Sequence, residues 1–352
     1  MKPDLPKGRG TGSRPDNLFK KSRFVREHPE GIDAVETEQS TVTEYLMVSS
    51  KTAISTNDSP DITLSSSVNP YQGCEHGCIY CYARNSHTYW GYDSGLGFES
   101  KILVKKDIVS VLRKEFEKKK YQPQPIMLSG NTDCYQPAER KFKLTAKILE
   151  LCLEFSHPVS VITKNGLIER DQKLLKSLAE KRLVHVYFSI NHLDPRLKQI
   201  LEPRTATARK KIELIRKFSE QGIPCGIMVA PLIPGINTEA MPEIIREAAA
   251  AGARKAGYTV VRLNGQLKEL FLEWMETHFP ERKNKVMHQI ESLHAGHSND
   301  TEWGRRIKGD GVLAQTIAGL FRASVRKYMS NGEKMPEFDL EIFKGNGQLK
   351  LF

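Results

Sequence analysis

The feature that most constrains the fold of this chain is a regular alternation of short β-branched runs with segments of helical period. The runs fall at Ile126–Ser129, Val159–Thr163, Val184–Ile190, Pro224–Ala230 and Tyr258–Leu263. Between them lie amphipathic stretches. In Lys141–Phe155 the residues Leu144, Ile148, Leu149, Leu151 and Cys152 gather largely on one face, with Lys143 and Lys147 off it. Similar helices fit Asp107–Lys119, Asp171–Glu180, Arg209–Glu220 and Met241–Ala251. Strands separated by helices of this length make βαβ units, and hence a parallel sheet with right-handed crossovers. A first strand near Ile62–Val68 brings the count to six. Six units are too few for a closed eight-stranded barrel. They fit a partial (β/α)6 barrel of the α/β class, with its chemistry on the loops at the C-terminal strand ends.

The two ends of the chain differ from this middle. The first 26 residues carry eight basic and two acidic side chains, with Gly8, Gly10, Gly12, Pro3, Pro6 and Pro15 among them. Residues 1–45 are therefore expected to form a basic, flexible arm. The barrel is expected over 46–280. Residues 281–352 are expected to pack on it as a helical C-terminal extension. Its main helix, Val312–Tyr328, would turn Leu313, Ile317, Leu320, Phe321 and Val325 inward. The net charge of +11 excludes an acidic solvating chain and permits a polyanionic partner. The longest charge-free stretch, Gln221–Thr238, holds three prolines and three glycines and does not read as a spanning helix. The N-terminus lacks the apolar core of a secretory signal. No membrane partner is expected, and the expected compartment is the cytoplasm.

Six cysteines could suggest disulfides, but their distribution argues otherwise. Cys74, Cys78 and Cys81 sit within eight residues, whereas Cys134, Cys152 and Cys225 are scattered. Clustering of this kind in a cytosolic chain points to metal. The stretch Asn69–Arg84 reads NPYQGCEHGCIYCYAR, a C-x3-C-x2-C spacing. Three thiolates on a loop freed by Gly73 and Gly77 can hold three irons of a [4Fe–4S] cluster and leave the fourth open to an exchangeable ligand. The alternative is a structural zinc completed by His76 or His87, although no second cysteine pair is present.

C-x3-C-x2-C with an aromatic residue before the last cysteine resembles the signature of the radical S-adenosylmethionine (SAM) superfamily. With HTYWGYDSGLGFESKILVK after it, the stretch is most similar to the branch that includes spore photoproduct lyase and its uncharacterised bacterial relatives. The likeness runs from Gly8 to the terminal GQLKLF. It implies a radical SAM barrel, a [4Fe–4S] cluster on Cys74, Cys78 and Cys81, and S-adenosyl-L-methionine chelated to the open iron. The implied chemistry is reductive cleavage of that cofactor to a 5′-deoxyadenosyl radical, which abstracts hydrogen from a substrate. A one-electron reductant, flavodoxin or ferredoxin-like, is the implied partner.

The same resemblance assigns further residues one at a time. Thr132 and Asp133, in the turn SGNTD after the second strand, match the lyase's cofactor-contacting serine and its aspartate. Lys164 matches a lysine that pairs with the methionine carboxylate, a task that suits a flexible ammonium. Ser189 and Asn191 at the end of the fourth strand match cofactor contacts, and Arg209 matches a basic residue beyond them. Tyr80 and Tyr82 flank the last cysteine, and Tyr82 is the candidate for radical return. The sequence departs from the lyase at one position of weight. Its hydrogen-donating cysteine falls on Gly130, and the nearest thiol is Cys134, a candidate replacement or a buried apolar residue. Three readings of function follow. The first is a radical SAM enzyme on a nucleic acid, suited by the basic charge and by the aromatics His87, Tyr89, Trp90 and Tyr92. The second is a radical SAM enzyme on a peptide or protein, and the third a zinc-stabilised nucleic-acid-binding protein without catalysis.

Overall fold

The computed structural model describes residues 6–17, 19, 42–62 and 64–345. Ten strands are found among them. A small sheet joins β1 (Glu44–Val48), β4 (Tyr71–Gln72) and β5 (Lys101–Lys105), with β5 in the middle. The large sheet holds β2 (Ile54–Thr56), β3 (Ser66–Val68), β6 (Ile126–Leu128), β7 (Val159–Thr163), β8 (Val184–Ser189), β9 (Cys225–Leu232) and β10 (Lys255–Val260). From β3 to β10 the order follows the sequence and every pairing is parallel; β2 adds antiparallel to the outside of β3. This is the expected six-stranded partial barrel. Its inner strands are buried nearly throughout, as parallel strands covered on both faces must be.

Helices return the chain between strands close to where the periodicity puts them: Ile108–Phe116, Leu144–Glu154, Gln172–Glu180, Ala208–Ser219 and Met241–Ala250. In Leu144–Glu154 the expected residues Leu144, Ile148, Leu149, Leu151 and Cys152 are all buried, and Thr145 joins them. The first strand is shorter than expected. Before Ser66 the chain closes a hydrogen-bonded turn instead, with Asn57 N donating to Ser65 O and Ile62 N to Ser59 O. The small sheet was not anticipated.

Across the expected boundary at residue 281 the chain packs continuously. Helices Leu267–His278 and Lys283–Leu293 share one apolar cluster in which Phe271, Trp274, Val286 and Ile290 pack with Cys78, Ile79 and Tyr80. The helix Gly311–Met329 lies against Met241–Ala250. It buries Ile317 and packs Leu313, Phe321 and Val325, but Leu320 is exposed and Ser324 takes the inward place. Ser324 satisfies its hydroxyl within the helix, on Leu320 O at 2.8 Å, so burial leaves it no unmet bond. Among the described residues no helix is long and apolar enough to cross a membrane. The terminal GQLKLF lies outside the described residues.

Candidate functional site

The cysteine loop leaves the C-terminal end of β3, at the same edge as the loops that follow β6, β7 and β8. Gly73 and Gly77 take positive φ, 80° and 69°. The N-terminal segment crosses directly over Gly77: a Cβ on Gly77 would stand 3.0 Å from Gly10 N, and one on Gly10 would stand 1.8 Å from Gly77 O. Arg9 donates to Glu99 O, Gly10 N to Glu99 Oε2 at 3.0 Å, and Leu96 N to Ser13 O at 2.9 Å. Residues 6–17 therefore do not form the free basic arm that their composition suggests. Buried hydrogen bonds and glycine-on-glycine contact hold them to the loop. Most of the expected arm, residues 1–5 and 20–41, lies outside the described residues.

Below the loop sits a buried ion pair that sequence reasoning missed. Arg84 is fully buried; its Nε and Nη2 donate to Cys78 O at 3.0 and 2.9 Å, and its Nη1 donates to Ser94 O and Gly95 O. Nη2 also meets Glu99 Oε1 at 2.6 Å. One guanidinium thus fixes the carbonyl of the second cysteine and the turn that carries Glu99.

Cys74 and Cys78 are buried and Cys81 is partly so. Burial pushes all three thiols up, so on their own they would stay protonated. A cationic cluster is the group that makes such thiols thiolates, and the set fits one. In a cubane each cysteine takes its own iron, so the thiols surround a body and need not converge on a point. Among the described residues no three His, Cys, Asp or Glu side chains do converge as a single ion requires. His76 has both ring nitrogens engaged, Nδ1 3.4 Å from Asp133 Oδ2 and Nε2 2.9 Å from Asn165 Nδ2. His87 is buried between Tyr92 and Phe98. Both ring nitrogens of His87 lack a partner within the protein, but neither histidine joins a three-ligand set among the described residues.

The turn after β6 meets the loop from the side. Thr132 is buried with its hydroxyl on Tyr71 O at 3.0 Å. Asp133 accepts from Thr163 Oγ1 and Lys164 N, both at 2.7 Å. Both residues thus bind together the turn, β7 and the cysteine loop. Lys164 reaches across the edge, its Nζ 3.4 Å from Ala230 O and 3.6 Å from Glu202 Oε1, with Tyr80 beneath it. Burial works against that ammonium, but Glu202 foremost raises its pKa above the ordinary lysine value. Ser189 and Asn191 are buried at the end of β8, and both side-chain polar atoms of Asn191 lack a partner within the protein. Orphaned polar atoms at this edge are what a polar cofactor would satisfy.

Glu202 stands at the centre of the set and was not anticipated. It accepts from Tyr80 Oη, and around it lie Lys164, Lys211 Nζ at 3.7 Å and His192 Nε2 at 3.8 Å. Burial alone would raise its carboxyl; Lys164 and Lys211 reverse that and hold it well below the usual carboxylate range. Lys211, buried and bonded to Ser189 O at 2.8 Å, occupies the place foreseen for Arg209. Arg209 itself is exposed, because the first turn of Ala208–Ser219 points that position outward and Lys211 inward. The sequence signal was helical spacing: Lys211 falls on the stripe of Ala208, Leu214, Ile215 and Phe218 that the helix buries.

The remaining two candidates separate. Tyr82 is half exposed and donates to Gly130 O, at the mouth of the edge. Cys134 has no exposure and belongs to the main apolar core, where burial pushes its thiol up strongly. The structure does not bring it to the edge.

The family model of the Radical SAM superfamily matches residues 68–248, just over half of the chain. An uncharacterized protein of Mycobacterium tuberculosis is 32% identical over 216 residues, 61% of this chain and 64% of that relative. One of Methanocaldococcus jannaschii is 30% identical over 169 residues, 48% and 61% of the two. The chain thus spans less than two thirds of these relatives. Among solved structures, spore photoproduct lyase complexed with dinucleoside spore photoproduct superimposes with a TM-score of 0.60 at 16% identity, covering 84% of this chain and 82% of that one. A mutant of the lyase with bound AdoMet and the same dinucleoside gives equal figures. At that identity the likeness shows a shared fold. The matched span of the family model takes in the cysteine loop and most of the barrel behind it, and the chain belongs to the radical SAM superfamily.

Proposed function

We propose that this chain is a radical SAM enzyme that holds a [4Fe–4S] cluster on Cys74, Cys78 and Cys81 and S-adenosyl-L-methionine at the strand ends beside it. The observation that carries the reading is three thiols, two buried and one partly so, on one clamped loop facing an edge lined by Lys164, Ser189 and the unpartnered Asn191. When bound, the reduced cluster supplies the electron that cleaves the sulfonium, and the cofactor supplies the radical that takes hydrogen from the substrate. Lys164 would meet the methionine carboxylate, sharing its charge with Glu202, while Thr132 and Asp133 hold the turn that shapes the site. The buried loop and the overlying residues 6–17 keep water away.

A nucleic acid is the substrate class we favour. Trp90 is 44% exposed, and Tyr89, 76% exposed, already stacks on Phe19, so an aromatic surface lies beside the loop. Repair of the spore-type thymine dimer is not the reaction we favour. Gly130 has no hydrogen to return from a side chain, a Cβ there would meet Ser67 Oγ at 2.9 Å, and Cys134 is sealed in the core. Tyr82 is the residue at that mouth with a hydrogen to give.

Anaerobic reconstitution tests the proposal. About four iron and four sulfide per chain are expected, with methionine and 5′-deoxyadenosine formed on reduction in the presence of the cofactor. Each of Cys74→Ala, Cys78→Ala and Cys81→Ala should abolish both. A colourless protein with stoichiometric zinc would overturn the reading.

A further inference from the structure

Beside the cysteine loop, on the same sheet edge, opens a groove of about 590 Å³ lined by Arg140, Arg170, Arg204 and Lys210, with Glu169 as the one acid in its lining. Glu169 is shared between Lys210 and Lys217, at 3.0 and 2.8 Å. Arg170 turns to Glu139 and Asp171, and Arg204 stands 3.7 Å from Glu75. Arg140 is exposed and, among the described residues, has no ion pair. Lys210 also meets Glu213 at 3.1 Å, so the charge left unmatched is that of Arg140. The groove presents cations outward because Glu75, Glu139 and Asp171 lie buried behind the guanidiniums they pair with. It also shares a wall with the thiol loop: Arg204 N donates to His76 O at 3.2 Å, and Asn165 Nδ2 lies 2.9 Å from His76 Nε2, between Cys74 and Cys78.

We infer that this groove docks an acidic one-electron carrier protein, the reductant that the function proposed above requires, and the inference rests on that reading. Electron transfer falls steeply with distance, so the carrier must seat against the loop that bears the thiols, and this groove is bounded by it. Redox encounters are small and steered by complementary charge, which a basic groove offers to carboxylates on the carrier. No aromatic side chain lines the groove, whereas single-stranded nucleic acids bind on aromatic platforms. The step is a single electron: the reduced carrier is oxidised by one, the enzyme is reduced by one, and no bond or proton moves.

The test uses the full chain, purified anaerobically, with a flavodoxin and separately a [2Fe–2S] ferredoxin as probes. Arg140→Glu with Lys210→Glu should weaken binding of the oxidised carrier at low salt by roughly tenfold or more and flatten its salt dependence. Reduction by the reduced carrier should slow by a similar factor, while reduction by dithionite is unchanged. Arg140→Gln, an exposed neutral change, should move binding in the same direction by a smaller factor at an unaltered melting temperature. Unchanged carrier binding in all variants overturns the inference, as does a wild-type chain that binds neither carrier. So does an oligonucleotide that binds in the groove and is lost in Arg140→Glu while the carriers are indifferent. Iron is measured alongside: a chain without iron that still binds the carrier through Arg140 refutes the proposed function and leaves the groove standing.

Discussion

At Arg84 a single side chain with no exposure makes five hydrogen bonds, four of them to carbonyls on the two sides of the cysteine loop and one to Glu99. Removing one partner of such a pair leaves the other charge buried and alone, at about 3–5 kcal/mol. Arg84→Met should lower unfolding stability by that amount in urea denaturation, and Arg84→Lys should recover little, since an ammonium cannot span the same acceptors. The sequence displayed Arg84 inside its motif but gave no sign of Glu99 as its partner. The two are fifteen positions apart across a turn, beyond any helical or strand period. Lys164 and Asn191 were legible for the opposite reason: each follows a β-branched run directly, and strand ends carry the chemistry in this architecture. Glu202 lies in a connection with no period at all, and only the fold shows that Lys164, Lys211 and His192 gather on it.

Elements with a strong period were the most legible. The parallel strands and five crossover helices repeat one apolar pattern, and burial enforces it on both faces of the sheet. The small sheet escaped because β4 is two residues long and pairs with a strand thirty residues away, where local sequence holds no trace of the partner. Helix Ala208–Ser219 shows how an element serves the site. Thr207 caps it, its Oγ1 accepting from Lys210 N at 3.2 Å, and the first turn so fixed carries Lys211 inward to Ser189 and Glu202. Thr207→Ala should cost about 1 kcal/mol in thermal or urea unfolding. It should also loosen cofactor binding, read by calorimetry, because Lys211 is positioned by the turn that frays.

At the scale of the whole molecule, the C-terminal segment binds the edge of the sheet opposite the site. Phe338 stacks on His185 at 3.9 Å, Lys344 N donates to Phe155 O, and Phe343 packs with Phe116, Tyr121 and His157. His157 and His185 are both buried there, and burial depresses each to about 4. The unfolded chain takes up these protons near pH 6.5 and the folded chain only near 4. Their stabilisation is therefore complete above pH 6.5 and is lost as pH falls through that window, by about 3 kcal/mol for His157. The melting temperature should drop steadily from pH 7 to 4.5, and His157→Phe, which keeps the stack on Phe116, should flatten part of that slope.

At the other edge, residues 6–17 lie across the cysteine loop, with Gly10 pressed on Gly77 and Arg9 and Gly10 bonded to Glu99. With the proposed cluster bound, that arrangement should make residues 6–17 a shutter against dioxygen. Deleting residues 1–17 should leave the barrel's circular dichroism intact, yet the brown absorbance of the reconstituted protein should bleach several-fold faster in air than that of the full chain. The same contact sets a rule for purification: an affinity tag should not stand where it would pry residues 6–17 off the loop.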